Sequence, residues 1–105
     1  MFTYCLTFRI ANKTIGNKSY EDRRKQLLNN IYDRDAGFWD EPTSFILVTS
    51  GLGISDFTKR ASRGLSAADD LLLAFDLSDN SAAYFGALRH EDVLESFFPL
   101  LRRVP

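Results

Sequence analysis

From position 2 to position 10 the chain alternates, with Phe2, Tyr4, Leu6, Phe8 and Ile10 on one side and Thr3, Cys5, Thr7 and Arg9 on the other. A two-residue period with β-favouring residues on both sides predicts a strand that lays one face on a core. A polar stretch over residues 12–18, holding Gly16 and Asn17, breaks the pattern. The period then changes to that of a helix: Tyr20, Leu27, Leu28 and Ile31 share one face, and Ser19 with Asp22 three positions on forms a variant capping box. This helix is predicted over residues 20–32, with Arg23, Lys25 and Gln26 on its other face and Asp33, Asp35 and Gly37 at its exit.

Residues 38–41 and 44–49 read as two strands around a turn at Glu41-Pro42-Thr43, because proline presets the φ a turn needs and cannot donate inside a central strand. After Ser50-Gly51-Leu52-Gly53, either Ser55 or Asp56 is expected to cap a short second helix that carries Phe57 and Ala61 and ends at Gly64. Residues 70–77 form a nearly continuous apolar run, which predicts a central strand covered on both faces. A turn at Asp79-Asn80-Ser81 leads to residues 82–86, expected as an edge strand. Val93, Leu94, Phe97 and Phe98 then share a helical face until Pro99 stops the helix. The acidic start of that helix (Glu91, Asp92) and its basic tail (Arg102, Arg103) both agree with the helix dipole. The order β-α-β-β-α-β, followed by a small strand and a C-terminal helix, predicts an α+β domain of ferredoxin-like type, in which two helices cover one face of an antiparallel sheet.

Length and composition refine this picture. A chain of 105 residues fits one domain, expected to span 1–105, and 45% apolar with 26% charged residues is ordinary globular usage, so folding is expected to need no metal and no cofactor. Thirteen basic against fourteen acidic residues leave a net charge of −1. No global field then favours nucleic acid or an anionic membrane, and nucleic-acid binding would need a local basic patch. The single cysteine, Cys5, cannot form an internal disulfide and reads as a small buried hydrophobe. The first residues have neither a basic n-region nor an apolar h-region, so the expected location is cytoplasmic and no membrane span is expected. Asn12-Lys13-Thr14 and Asn17-Lys18-Ser19 match a glycosylation acceptor that has meaning only in a secreted chain.

Three blocks carry a family resemblance: Tyr4-Cys5-Leu6-Thr7-Phe8, Gly37-Phe38-Trp39 with Ser44-Phe45-Ile46-Leu47-Val48, and Asp70-Leu71-Leu72-Leu73. The chain from residue 3 to about residue 85 resembles the small ferredoxin-like proteins that include the CRISPR spacer-integration nuclease, virulence-associated protein D and the SinR-like proteins. That resemblance implies a dimer joined through sheet edges and a phage, toxin–antitoxin or defence setting. The nuclease members carry an acidic metal ligand at the end of the first strand, where this chain has Phe8 or Arg9. Arginine cannot supply the oxygen donors a hard cation needs, so the resemblance carries the fold and not the nuclease activity.

Several residue sets are candidates for chemistry. Ser50, Gly51, Gly53 and Ser55 lie between a strand and a helix, where free amides can hold an anion; a tight turn with an N-cap is the plainer reading. His90 beside Glu91 suits acid–base work or an ordinary helix start. Asp33, Asp35, Asp40 and Glu41 form one acidic cluster, and Asp76 with Asp79 another. A metal or hydrolytic site would need members of these clusters to meet at one point. Lys59, Arg60 and Arg63, with Arg23, Arg24 and Lys25, form two basic stripes that read as solvated helix faces unless they point the same way. Trp39, Tyr84, Phe85, Phe97 and Phe98 are the aromatics left over from the helix-covered core and suit a subunit interface. The leading expectation is a small non-catalytic interaction or regulatory domain acting as a homodimer with an unspecified protein partner. The alternatives are a metal-dependent nuclease or hydrolase using the carboxylates, and a regulator that binds a small anion.

Overall fold

A computed structural model describes all of residues 1–105. It has the element order β1 (Phe2–Arg9), α1 (Tyr20–Ile31), β2 (Phe38–Trp39), β3 (Phe45–Ser50), α2 (Ile54–Ala61), β4 (Leu71–Asp76), β5 (Ala82–Gly86), α3 (Glu91–Phe97), β6 (Arg102–Arg103). The strands form one six-stranded mixed sheet in the order β2-β3-β1-β4-β5-β6. All neighbours run antiparallel except β5 and β6, which are parallel. No helix is long and apolar enough to cross a membrane.

The alternation of β1 decides which face is which. Its register sets Tyr4 opposite Val48 and Asp76, Leu6 opposite Ile46 and Ala74, and Phe8 opposite Leu72, so the apolar side chains of three adjacent strands stack on one face. Both longer helices cover that face: Leu27 and Ile31 of α1, and Phe57 and Ala61 of α2, complete the main core. The capping box of α1 forms as its sequence predicts, with Asp22 N–H donating to Ser19 Oγ and Ser19 N–H donating to Asp22 Oδ2, each at 3.1 Å. The opposite face carries Cys5, Thr7, Phe45, Leu47, Leu71, Leu73, Phe75 and Tyr84. There α3 covers only the β4–β5 side, with the Phe98 ring 5.2 Å from that of Phe75 and the Tyr84 hydroxyl donating to Glu91 Oε2 at 2.7 Å.

Four local expectations are corrected. α2 starts two residues earlier than a Ser55 cap allows and three earlier than an Asp56 cap: Gly53 is the N-cap, without a side-chain hydrogen bond. β2 is two residues long, since the turn preceding Phe45 takes up Pro42 and its neighbours. β5 is not an edge, because Arg102 and Arg103 leave the helix and pair beside it as β6, which the reading of those arginines as a helix tail misses. Arg23 is not part of a surface stripe: it is 1% exposed and pairs with Asp70, itself fully buried, at 2.5 Å.

That pair locks three segments. Arg23 Nη1 donates to the carbonyls of Ala11 and Lys13, while Asp70 accepts from Ala11 N–H and from Ser66 N–H at 2.8 and 2.7 Å. Gly86 presses against the Asp70 backbone: it has φ +105°, and an added Cβ would stand 2.0 Å from the Asp70 carbonyl oxygen. Gly86→Ala is therefore expected to lower stability by about 3 kcal/mol or more in urea denaturation, since strain and overlap with rigid backbone add. Arg23→Met is expected to cost about 3–5 kcal/mol by leaving a buried carboxylate without its cation. The double variant Arg23→Met/Asp70→Leu should lose less than the sum of the two single changes.

Candidate functional site

The open half of the second sheet face is the most distinctive surface. Burial alternates along β4 and over the first four residues of β3: Ile46, Val48, Leu72, Ala74 and Asp76 are buried on the helix-covered face, while Phe45, Leu47, Leu71, Leu73 and Phe75 on the other face are only partly covered. Trp39, opposite Leu47, is 42% exposed and meets Phe45 edge-on with ring centroids 6.5 Å apart. Its indole N–H donates to Glu41 Oε1 at 3.1 Å, which fixes the ring at the margin of the sheet. Thr3 and Thr7 stand exposed between these apolar positions. α3 borders the open half and carries Phe97, which is 73% exposed.

Of the five aromatics expected at an interface, Trp39 and Phe97 reach the surface and Phe98 is half-buried on Phe75. Tyr84 and Phe85 are corrected: both are buried inside their own chain. β6 covers their strand, Phe85 packs with Ala83 and Val104, and Tyr84 is tied to Glu91. Burial pushes the Tyr84 phenol above its ordinary pKa, helped by its hydrogen bond to Glu91. Phe45 and Leu47 are the residues the leftover-aromatic argument misses. Their signal lies in the apolar run of β3, which has apolar residues on both faces although helices cover only one.

The glycine loop divides two clefts. Ser50 Oγ accepts from Leu52 N–H at 3.1 Å and the Tyr4 hydroxyl donates to Leu52 carbonyl at 2.7 Å, so the loop's central peptide is engaged internally. Gly51 and Gly53 are exposed, and Ser55 is half-buried in the first turn of α2 beside Asp56. The Asp56 carboxylate already complements the amides of that turn, which opposes an external anion there. On one side of the loop a cleft holds Asp33, Arg34 and Arg60; on the other a second cleft holds Asp56, Asp76 and Asp79. The two expected acidic clusters thus fall in different places. No group of three or more His, Cys, Asp or Glu side chains is arranged to hold a metal ion. His90 is the exposed N-cap of α3, without a side-chain capping bond.

Local charges have clear causes. The Tyr4 phenol is pushed up to about 12, first by burial and then by Asp76 and Asp79. Burial and Asp76 also raise the Cys5 thiol, which is 3% exposed. Asp79 is held below the usual carboxylate range by hydrogen bonds from Ser81. No protein-family model matches the chain, and no curated protein or solved structure matches it either.

The Tyr4 shift has a definite sign for stability. Its folded pKa lies above the unfolded value of 10, so the unfolded chain releases the phenol proton first as the solution becomes alkaline. Stability is expected to hold below pH 10 and to fall as pH rises from 10 to about 12. Tyr4→Phe should flatten that fall in denaturant titrations run across the same window.

Proposed function

We propose that the protein is a non-catalytic interaction domain of ferredoxin-like type that works as a homodimer through the open half of its sheet face. The order β2-β3-β1-β4 with antiparallel pairing throughout, and α1 and α2 on one face, supports the ferredoxin-like reading. The observation that carries the interaction reading is the contrast between the two faces: Phe45 and Leu47 remain part-exposed and Trp39 exposed, while Ile46 and Val48 on the other side of β3 are buried. A phage, toxin–antitoxin or defence setting rests on the family resemblance alone.

A second copy of the chain fits this surface for reasons of charge and shape. The open positions are aromatic, aliphatic or threonine, so two copies related by a two-fold axis set apolar side chains against one another. A net charge of −1 adds almost no repulsion between copies. Three strands spaced ~4.8 Å apart and ~20 Å long present roughly 300 Å² in projection, well under the ~800 Å² per partner of a standard interface. The dimer is accordingly weak and concentration-dependent.

Light scattering over a range of protein concentrations tests this. The wild type is expected to pass from monomer to dimer with a Kd of roughly 1–100 µM. Leu47→Asp, which places a carboxylate at the centre of the face, should keep the protein monomeric with an unchanged circular dichroism spectrum. A wild type that stays monomeric at all concentrations would overturn the proposal.

A further inference from the structure

α3 leaves two apolar features on one side of the sheet, a hole and a knob. The hole is a groove of about 260 Å³ lined by Leu71 and Leu73 of β4, Leu94 of α3, Leu88, and Thr7 and Arg9 of β1. It continues the open half of the face directly, since Thr7 stands opposite Phe45 on one side and Leu73 on the other. The knob is Phe97, the last residue of α3 and, at 73%, the most exposed aromatic side chain of the protein. Val93, one turn earlier on the same helical face, is 53% exposed. That exposure shows that Phe97 does not fill the groove of its own chain.

Size decides what the groove can take. At about 260 Å³ it is smaller than the roughly 300–1,000 Å³ of a small-molecule site, and Thr7 and Arg9 are the two polar side chains that could orient a ligand in it. One large apolar side chain suits it better, which is how an aromatic anchor is buried at the centre of an interface. Charge points to the same occupant. α3 carries Glu91, Asp92 and Glu95 and no basic residue. Glu91 accepts from Tyr84, whereas Asp92 and Glu95 are exposed and belong to neither ion pair. Arg9 is also exposed and outside both pairs, and its guanidinium makes only a long 3.5 Å hydrogen bond to the Ala87 carbonyl.

We infer that in the homodimer Phe97 of the partner subunit seats in this groove, with the acidic side of the partner's α3 toward Arg9, and that the exchange is reciprocal. A two-fold axis turns one knob and one hole into two identical contacts. Each α3 then covers sheet that the other copy's helix leaves open. Burying the ring adds roughly 150–250 Å² per copy to the area the open half supplies. The inference rests on the homodimer reading above and adds to it the anchor and its seat.

Sedimentation equilibrium of the full chain tests it, with variants at exposed positions so that the fold is kept. Phe97→Ala is expected to raise the dimer Kd at least about ten-fold, the loss of a buried aromatic anchor. Arg9→Glu should raise it about three-fold or more by setting like charges together. Leu77→Ser, which removes a comparably exposed apolar side chain from the β4–β5 turn, should leave it unchanged. On mild oxidation, an equimolar mixture of Phe97→Cys and Thr7→Cys chains should form a mixed disulfide dimer faster than either variant forms one alone. A wild type that stays monomeric removes the homodimer reading and this inference with it. A wild type that dimerises while Phe97→Ala has no effect, Leu77→Ser weakens it as much, or the mixed disulfide shows no preference, overturns the seat and leaves the dimer standing.

Discussion

The fold depends on one buried ion pair. Arg23 reaches back from α1 to hold the carbonyls of Ala11 and Lys13, where β1 runs into the loop, and its Nη2 closes on Asp70 at the entrance to β4. Asp70 in turn accepts from Ala11 and Ser66, so both carboxylate oxygens are used. Taking both charges out of water is costly, and the attraction between them offsets this only because nearly every lone pair and proton finds a partner. Arg23 Nε alone is left buried without one. The arrangement specifies more than it stabilises: it fixes where α1 lies on the sheet and sets β4 beside β1. Lys13 and Asp69 form a second, exposed pair at 2.6 Å alongside it. An exposed pair of that kind contributes little by itself.

The same constraint shows why part of the fold was legible in the sequence and part was not. β1, α1 and its capping box, the Pro42 turn and β4 follow from local period and local chemistry, which one short segment carries by itself. Arg23 does not. Its spacing puts it on the buried stripe, four residues before Leu27 and eight before Ile31, but its charge and its neighbours Arg24 and Lys25 read as a solvated face. Its partner lies 47 residues away. The same holds for Tyr84 and Phe85, which read as edge residues until Arg102 and Arg103 pair beside β5. Two arginines after a proline-stopped helix carry little strand signal, and a two-residue parallel pairing is set by what lies next to it rather than by propensity. Gly86 had a reason that sequence could not show, since the backbone it touches belongs to Asp70.

The candidate surfaces divide along the same line. Trp39 and Phe97 stood out because large aromatics on short elements have few places to hide. Phe45 and Leu47 did not, because an apolar run is read as burial on both sides, and whether a third layer covers the second face depends on how far α3 extends. α3 has seven residues, none of them fully buried, and the contacts at its two ends are made to β4 and β5. A short helix on a six-stranded sheet leaves strands uncovered on geometry alone, since a helix is about 10 Å across and strands repeat every ~4.8 Å. The open half of the face thus follows from the length of α3 rather than from any special feature of β3.

Asp70 and Asp76 make the final contrast, because the same strand poses the same electrostatic problem at both ends. At one end the chain answers it internally, with a guanidinium that satisfies the carboxylate and the neighbouring carbonyls together. At the other, Ser78 donates to one oxygen through both its N–H and its hydroxyl, and Asp76 lines a cleft together with Asp56 and Asp79. An ordinary turn would place such an acid in solvent, as it does Asp79, three residues on. Here Asp76 is 4% exposed opposite Tyr4 of β1, and its charge helps burial push the Tyr4 phenol up to about 12. A carboxylate kept in that position raises the local cost of every further negative charge and lowers that of a positive one. The strand thus closes one buried acid with a guanidinium drawn from α1 and the other with a serine of its own turn, and only the first closure ties distant segments together.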